Sequence, residues 1–271
     1  MEKDLYVINL KGEKEPFSFR KVFQSARNVG ASRKLAFEIG KKIEKEIFPG
    51  ISTSQIFKRV FQLLLEKSPQ SAIKFNLKRA MEKLGPSGYP FEKFIGRIFK
   101  AEGFKTKNNL FIFGASKVKY EIDFLAQKER LIYVGECKFR KERGGRVDLQ
   151  AALANYARFL DVKKGKFLNS KFKYKSILVT NAKFTSEAIK YSKYVGVELL
   201  GWKYPFRGGL EKLIEKNKLF PITILPSVSS KLAKILIENE IVLVKEAFTE
   251  SFKELKILKK EQILREAKLL L

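Results

Sequence analysis

The stretch from Glu121 to Phe139, EIDFLAQKERLIYVGECKF, decides how the middle of this chain folds. Two extended runs flank a polar turn at Gln127 to Arg130, and the second run, Leu131 to Phe139, is apolar until its end. Side chains alternate between the faces of a strand, so Glu136 and Lys138 point one way and Cys137 the other. Folding back at the turn brings Asp123 alongside Glu136. A carboxylate and an ammonium at the end of an apolar strand are costly to bury unless a cation or a phosphate sits between them.

Working outward, the helix FEKFIGRIFKAEGF precedes this hairpin, with Phe91, Phe94, Ile95, Ile98 and Phe99 in one stripe and Gly103 as its stop. Strands are expected at Leu110 to Phe113 and Val118 to Ala126, then the Glu136 strand. A helix capped by Asp148 runs to Leu160, followed by a strand at Ser176 to Thr180, a helix from Thr185 and a strand at Val197 to Leu200. This order, α-β-β-β-α-β-α-β, predicts an α/β (α+β) fold, a three-layer α/β/α sandwich around a mixed sheet.

Gly and Pro cluster at Leu84 to Pro90 and at Tyr204 to Leu210, which divides the 271 residues into segments 1–85, 88–205 and 208–271. The first opens with short strands at Leu5 to Asn9 and Glu15 to Phe17 around a turn at Lys11-Gly12. Amphipathic helices are expected at residues 33–48, 52–67 and 71–84, with Ser52 or Ser54 as an N-cap. The last segment holds two short amphipathic helical patterns, whose expected role is packing or dimerisation.

Composition narrows the partners. The chain has 56 Lys and Arg against 29 Asp and Glu, a formal net charge of +27, and a pI near 10.0. Such an excess favours a polyanion, nucleic acid first, because phosphates release condensed counterions to a basic protein. No run approaches the roughly 18–20 apolar residues of a spanning helix and no signal peptide opens the chain, so a cytoplasmic protein with no membrane partner is expected. One cysteine and no histidine leave no zinc cluster; any metal is held by oxygen.

Two carboxylates and a lysine meet the needs of phosphodiester hydrolysis. A cation neutralises nonbridging oxygens and acidifies a water, and a positive charge sits where negative charge develops. Mg²⁺ takes one or two carboxylates, waters and substrate phosphate, which Asp123 and Glu136 provide for. Blander readings stand beside this one. Asp123, Glu136 and Lys138 also fit a solvated salt-bridge ladder; Glu92 fits an acid favoured by the helix dipole; Gln150 fits plain surface. Arg140, Lys141, Arg143 and Arg146 around Gly144-Gly145 suit either a phosphate-facing loop or an ordinary solvated one.

These motifs, over roughly Gly88 to Trp202, resemble the PD-(D/E)xK nuclease superfamily, specifically its Mrr-like restriction endonucleases. The resemblance implies that Asp123 and Glu136 ligate Mg²⁺, with Mn²⁺ as a substitute. It also implies that Lys138 orients water or stabilises the transition state, Gln150 helps position Lys138, and Glu92 supports the metal shell. From Val7 to about Leu84, the residues Val7-Ile8, Gly12, Phe17 and Lys21 resemble an ATP-cone domain, which implies an adenine nucleotide, ATP or dATP, with Lys11 and Lys21 as contacts. Where that family carries Lys-Arg-Asp before its glycine, this chain has Asn9-Leu10-Lys11, without two of the usual phosphate-binding charges.

Together these readings predict a metal-dependent DNA endonuclease, open to regulation through its first domain and, for cutting both strands, to homodimerisation. The alternatives are a non-catalytic DNA-binding protein on the same fold and a nucleotide-sensing regulator.

Overall fold

In the computed structural model, which describes residues 5–85, 88–142, 144–165, 169 and 171–271, the chain opens with a hairpin of β1 (Tyr6–Ile8) and β2 (Lys14–Pro16). Asn9 stabilises its tip: Oδ1 accepts from the backbone N–H of Lys11 at 2.8 Å and of Glu13 at 3.1 Å. Then come α1 (Phe19–Asn28), α2 (Arg33–Glu46), β3 (Ile51–Ser52), α3 (Thr53–Lys67), α4 (Pro69–Phe75) and α5 (Leu77–Glu82). Ser52 and Gln55 form a reciprocal capping box at the start of α3, which satisfies backbone donors that helix geometry leaves open. Val22, Ala26, Ile39, Ile43, Val60 and Leu64 form the core of this bundle. The helix expected over 71–84 is broken at Asn76 into α4 and α5.

The middle of the chain has α6 (Tyr89–Ala101), β4 (Lys105–Phe113), β5 (Lys119–Lys128), β6 (Leu131–Cys137), β7 (Arg146–Val147), α7 (Leu149–Lys164), β8 (Lys173–Val179), β9 (Lys183–Phe184), α8 (Ser186–Val195) and β10 (Glu198–Leu200). Asp148 and Thr185 cap α7 and α8, as their sequence positions predict. The main sheet runs β10-β8-β6-β5-β4, antiparallel from β4 to β6 and parallel from β6 to β10. Phe91, Phe94, Ile95 and Ile98 of α6 bury one face against Phe124 and Ala126. Phe159 and Val162 of α7 bury the other against Ile112, Ile122 and Val134. The result is the α/β/α sandwich around a mixed sheet. Arg143 of the basic loop and Pro86 and Ser87 of the first break lie outside the described residues.

The last segment, α9 (Leu210–Lys216), α10 (Ser230–Glu238), α11 (Glu250–Glu254) and α12 (Lys260–Lys268) with two 3-10 turns between, has no core of its own. Phe220, Leu236, Phe252 and Ile263 join Phe91 and Phe94 in one continuous core. Each such side chain contributes roughly 1.5–3 kcal/mol by leaving water. Polar ties fix the same seam: Arg97 pairs with Glu246 at 3.0 Å and Thr223 Oγ1 donates to Ala80 O at 2.8 Å. Packing is therefore what these helices do. Among the described residues no helix is long and apolar enough to cross a membrane.

Candidate active site on β5 and β6

Glu136 is the most buried acid of the site, 6% exposed at the end of β6, and both its oxygens are engaged. Oε1 accepts from Lys138 Nζ at 2.6 Å, and Oε2 accepts from Arg158 Nη1 on α7. The residue before it is Gly135 for a steric reason. A Cβ there would stand 2.2 Å from the Phe124 ring, so only glycine lets that ring cross β6.

Asp123 sits where the sidedness of β5 switches. Ile122 and Leu125 serve the core under α7, whereas Phe124 and Ala126 serve the core under α6. On β4, across from it, Asn109 adopts φ +54, the left-handed conformation that asparagine tolerates. Asp123 Oδ2 accepts from the backbone N–H of Cys137 at 2.6 Å, which fixes it beside Glu136. Burial and then the charge of Glu136 push its carboxyl up to about 7. Burial also pushes the Cys137 thiol well above its ordinary range, consistent with a core residue and not a nucleophile.

Glu92, in the first turn of α6, completes the acidic cluster. Asn108 Nδ2 donates to the backbone oxygens of Glu92 at 3.1 Å and Asp123 at 3.3 Å, tying α6 to β5. Burial raises the Glu92 carboxyl, with Glu121 and Glu136 adding to the effect and Asn109 and Lys138 opposing it. Such mutual repulsion among partly buried acids is what a bound cation relieves.

Whether the residues suit a hard cation can be judged from the donors. Asp123 and Glu136 supply carboxylate oxygens, and Asn109 Oδ1 is a buried oxygen without a hydrogen-bond partner. Among the described residues no three acidic or thiol side chains converge closely enough to hold an ion by themselves. The donor set fits Mg²⁺, which completes its shell with water and phosphate.

The structure thus gathers Asp123, Glu136, Lys138 and Glu92. Gln150 is exposed on the first turn of α7, and Lys138 Nζ donates to Glu136. Arg158, Asn108 and Asn109 were not foreseen. Their signals were present, since Arg158 is the one charge within AALANYARFL and paired asparagines are unusual inside a strand. Lys138 also rests on a built support. Its N–H donates to Val179 O at 2.7 Å, and its carbonyl accepts from the buried Thr180 Oγ1 at 2.6 Å.

The two lysines expected to contact a nucleotide are not brought together as a pair. Lys21 pairs with Glu15 at 3.2 Å beside an apolar cleft of about 300 Å³ lined by Val7, Phe17, Ile56 and Phe75. Lys11 is exposed at the hairpin tip and does not line that cleft.

Comparison with known proteins agrees with the fold. Residues 85–202 match the Mrr catalytic-domain family, described as restriction endonuclease. An uncharacterized protein of Archaeoglobus fulgidus is 40% identical over 131 residues, covering 48% of this chain and 71% of its own length. The crystal structure of a protein of unknown function, AF1548, is 33% identical with a TM-score of 0.57, covering 67% of this chain and 97% of that chain. A repair endonuclease from Pyrococcus abyssi is a looser likeness, 19% identical with a TM-score of 0.29, covering 42% of this chain and 46% of that one.

Proposed function

The chain belongs to the family of the Archaeoglobus fulgidus protein and carries a restriction endonuclease domain at residues 85–202, and from that premise we propose that it is a metal-dependent DNA endonuclease. The observation that carries the proposal is the pair of buried Glu136 and half-buried Asp123 with Lys138 at 2.6 Å from Glu136. The net charge of +27 supports a polyanionic substrate.

Asp123 and Glu136 would hold Mg²⁺ or Mn²⁺, which supplies charge neutralisation at the phosphate and a more acidic water. The chain's own residues do the rest. Cys137 N–H holds Asp123 in place, and Arg158 holds Glu136 from the α7 side. Lys138, which pairs with Glu136 at 2.6 Å, would carry its ammonium at the phosphate side of the site. There its ammonium faces the charge that builds on the phosphoryl oxygens. Water forms the new bond to phosphorus, the bond to the leaving sugar oxygen breaks, and that oxygen takes up a proton. Glu92, in the first turn of α6, would support the metal shell. One site cuts one strand, so cutting both calls for two copies of the chain.

The test is cleavage of supercoiled and linear plasmid, methylated and unmethylated, by the wild-type protein and Glu136→Ala, with Mg²⁺, Mn²⁺ or EDTA. Cutting that needs metal and disappears in the variant supports the proposal. Tight DNA binding by both proteins with no cutting of any substrate would move the reading to a binding module. A regulatory ATP or dATP in the N-terminal cleft beside Lys21 is a companion proposal, supported by that cleft's apolar lining. Nucleotide titration that leaves both DNA affinity and cleavage unchanged would remove it.

A further inference from the structure

The edge of the sheet carries a surface that hydrolysis does not use. On edge strand β4, Phe111 and Phe113 are each 60% exposed, while Ile112 between them is buried. Both rings therefore stand on one face. Their register partners on β5 are Glu121 and Lys119, and Lys119 Nζ lies 4.5 Å over the Phe111 ring. The hairpin that bears these rings is anchored. Asp161 of α7 accepts from Ser116 N at 3.0 Å and from Ser116 Oγ at 2.5 Å, and Ala115 N donates to Asp161 O at 3.1 Å.

The patch borders the site. Glu121, across from Phe111, is two residues from Asp123, and its charge is among those that raise Glu92. At about 3.3 Å per residue the rings begin ~7 Å and end ~13 Å along the strand from Asp123. Those distances place the rings about two to four stacked nucleotides from the cut site, at ~3.4 Å each.

Charge decides between occupants. Lys117 and Lys119 stand by the rings, and Lys105 and Lys107 lie farther along the same edge strand on its α7 side, all exposed. Two copies joined edge to edge would set these cations against one another, and edge lysines are a common guard against such pairing. A polyanion is complementary to them. Exposed rings among lysines suit bases stacking while phosphates meet ammonium groups, and a base offers its face only once it has left the duplex.

We infer that Phe111 and Phe113 are a stacking platform for unpaired nucleotides beside the cut site, so that DNA with a single-stranded tail or flap is bound in preference to uninterrupted duplex. The adjacency to a cut site rests on the nuclease reading; the binding does not.

The test uses the full chain in EDTA with two probes, a duplex with a short single-stranded tail carrying 2-aminopurine and a blunt duplex of the same sequence. Binding to the wild-type chain quenches the 2-aminopurine and favours the tailed probe. The double variant Phe111→Leu/Phe113→Leu keeps the apolar bulk. It loses the quench and at least about fivefold in affinity for the tail, the lower end for one base–aromatic stack, and stays within about twofold on blunt duplex. Absence of a quench with the wild type overturns the inference, as does equal loss on both probes. So does sedimentation showing a wild-type dimer that the double variant converts to monomer, which would make the patch a self-interface. A chain that quenches but never cuts keeps the platform and loses the nuclease, and one that cuts without quenching loses only the platform.

Discussion

Asp123→Asn is expected to stabilise the metal-free protein only as the pH approaches neutrality and beyond it. The Asp123 carboxyl is pushed from 3.8 up to about 7 by burial and by Glu136. Folded, it holds its proton through a pH range in which the unfolded chain has released one. Stability is therefore fully present below about pH 4, falls as pH rises through the window from about 4 to 7, and is level above it. At ~1.4 kcal/mol for each pH unit, the gross loss is roughly 4 kcal/mol. Water reaches this partly buried group and trims that figure, and asparagine gives up the charge-assisted bond from Cys137 N–H. A net gain of ~1–2 kcal/mol for the variant at about pH 8 remains. Urea unfolding in EDTA, followed by circular dichroism at about pH 4 and about pH 8, measures it. The variant should lie at or below wild type at the lower pH and above it at the higher. A difference between the two proteins that is the same at both pH values would refute the reasoning. Added Mg²⁺ at the higher pH should cancel the gain, because the ion stabilises only the chain that binds it.

Arg158→Met leaves one oxygen of Glu136 without its cation and should lower cleavage by about 10- to 100-fold with DNA affinity preserved, read by single-turnover rates beside anisotropy, with partial recovery in Arg158→Lys. Gly135→Ala drives a Cβ to 2.2 Å from the Phe124 ring and should destabilise the fold by about 1–3 kcal/mol, seen as a lower urea midpoint. DNA affinity should fall linearly on a log–log plot against salt, with a slope near −0.9 for each phosphate neutralised, and Lys107→Glu should flatten it. A salt-independent affinity would contradict a role for the basic surface.

Much of the fold was legible because local signals agreed with one another. The turn at Gln127 to Arg130 set the β5–β6 hairpin, and strand periodicity put Glu136 and Lys138 on one side, where they meet at 2.6 Å. Capping chemistry marked α3, α7 and α8 through Ser52, Asp148 and Thr185. What escaped was short or nonlocal. β3 is two residues long and exists only because Val7 and Ile8 pair with it. α1 carries Val22 and Ala26 toward the core at helical spacing behind the Ser18 cap, a short amphipathic pattern beside the stronger ones that follow it. Arg158 reaches Glu136 from another layer of the sandwich, and no spacing rule links positions 22 residues apart. The switch of sidedness at Asp123 breaks the alternation from which strand faces are read. The last segment looked separate at Tyr204 to Leu210, yet its apolar stripes complete the core of α6.

Single-turnover cleavage of end-labelled DNA by wild type, Asp123→Asn, Glu136→Gln and Lys138→Met, each first shown to be saturated with DNA by anisotropy, bears most directly on the proposed chemistry. If these three side chains perform it, the wild-type protein cuts with Mg²⁺ while every variant binds as well and cuts at least about 100-fold more slowly. A variant that cuts at the wild-type rate, or a wild-type protein that binds and never cuts, would contradict the nuclease assignment.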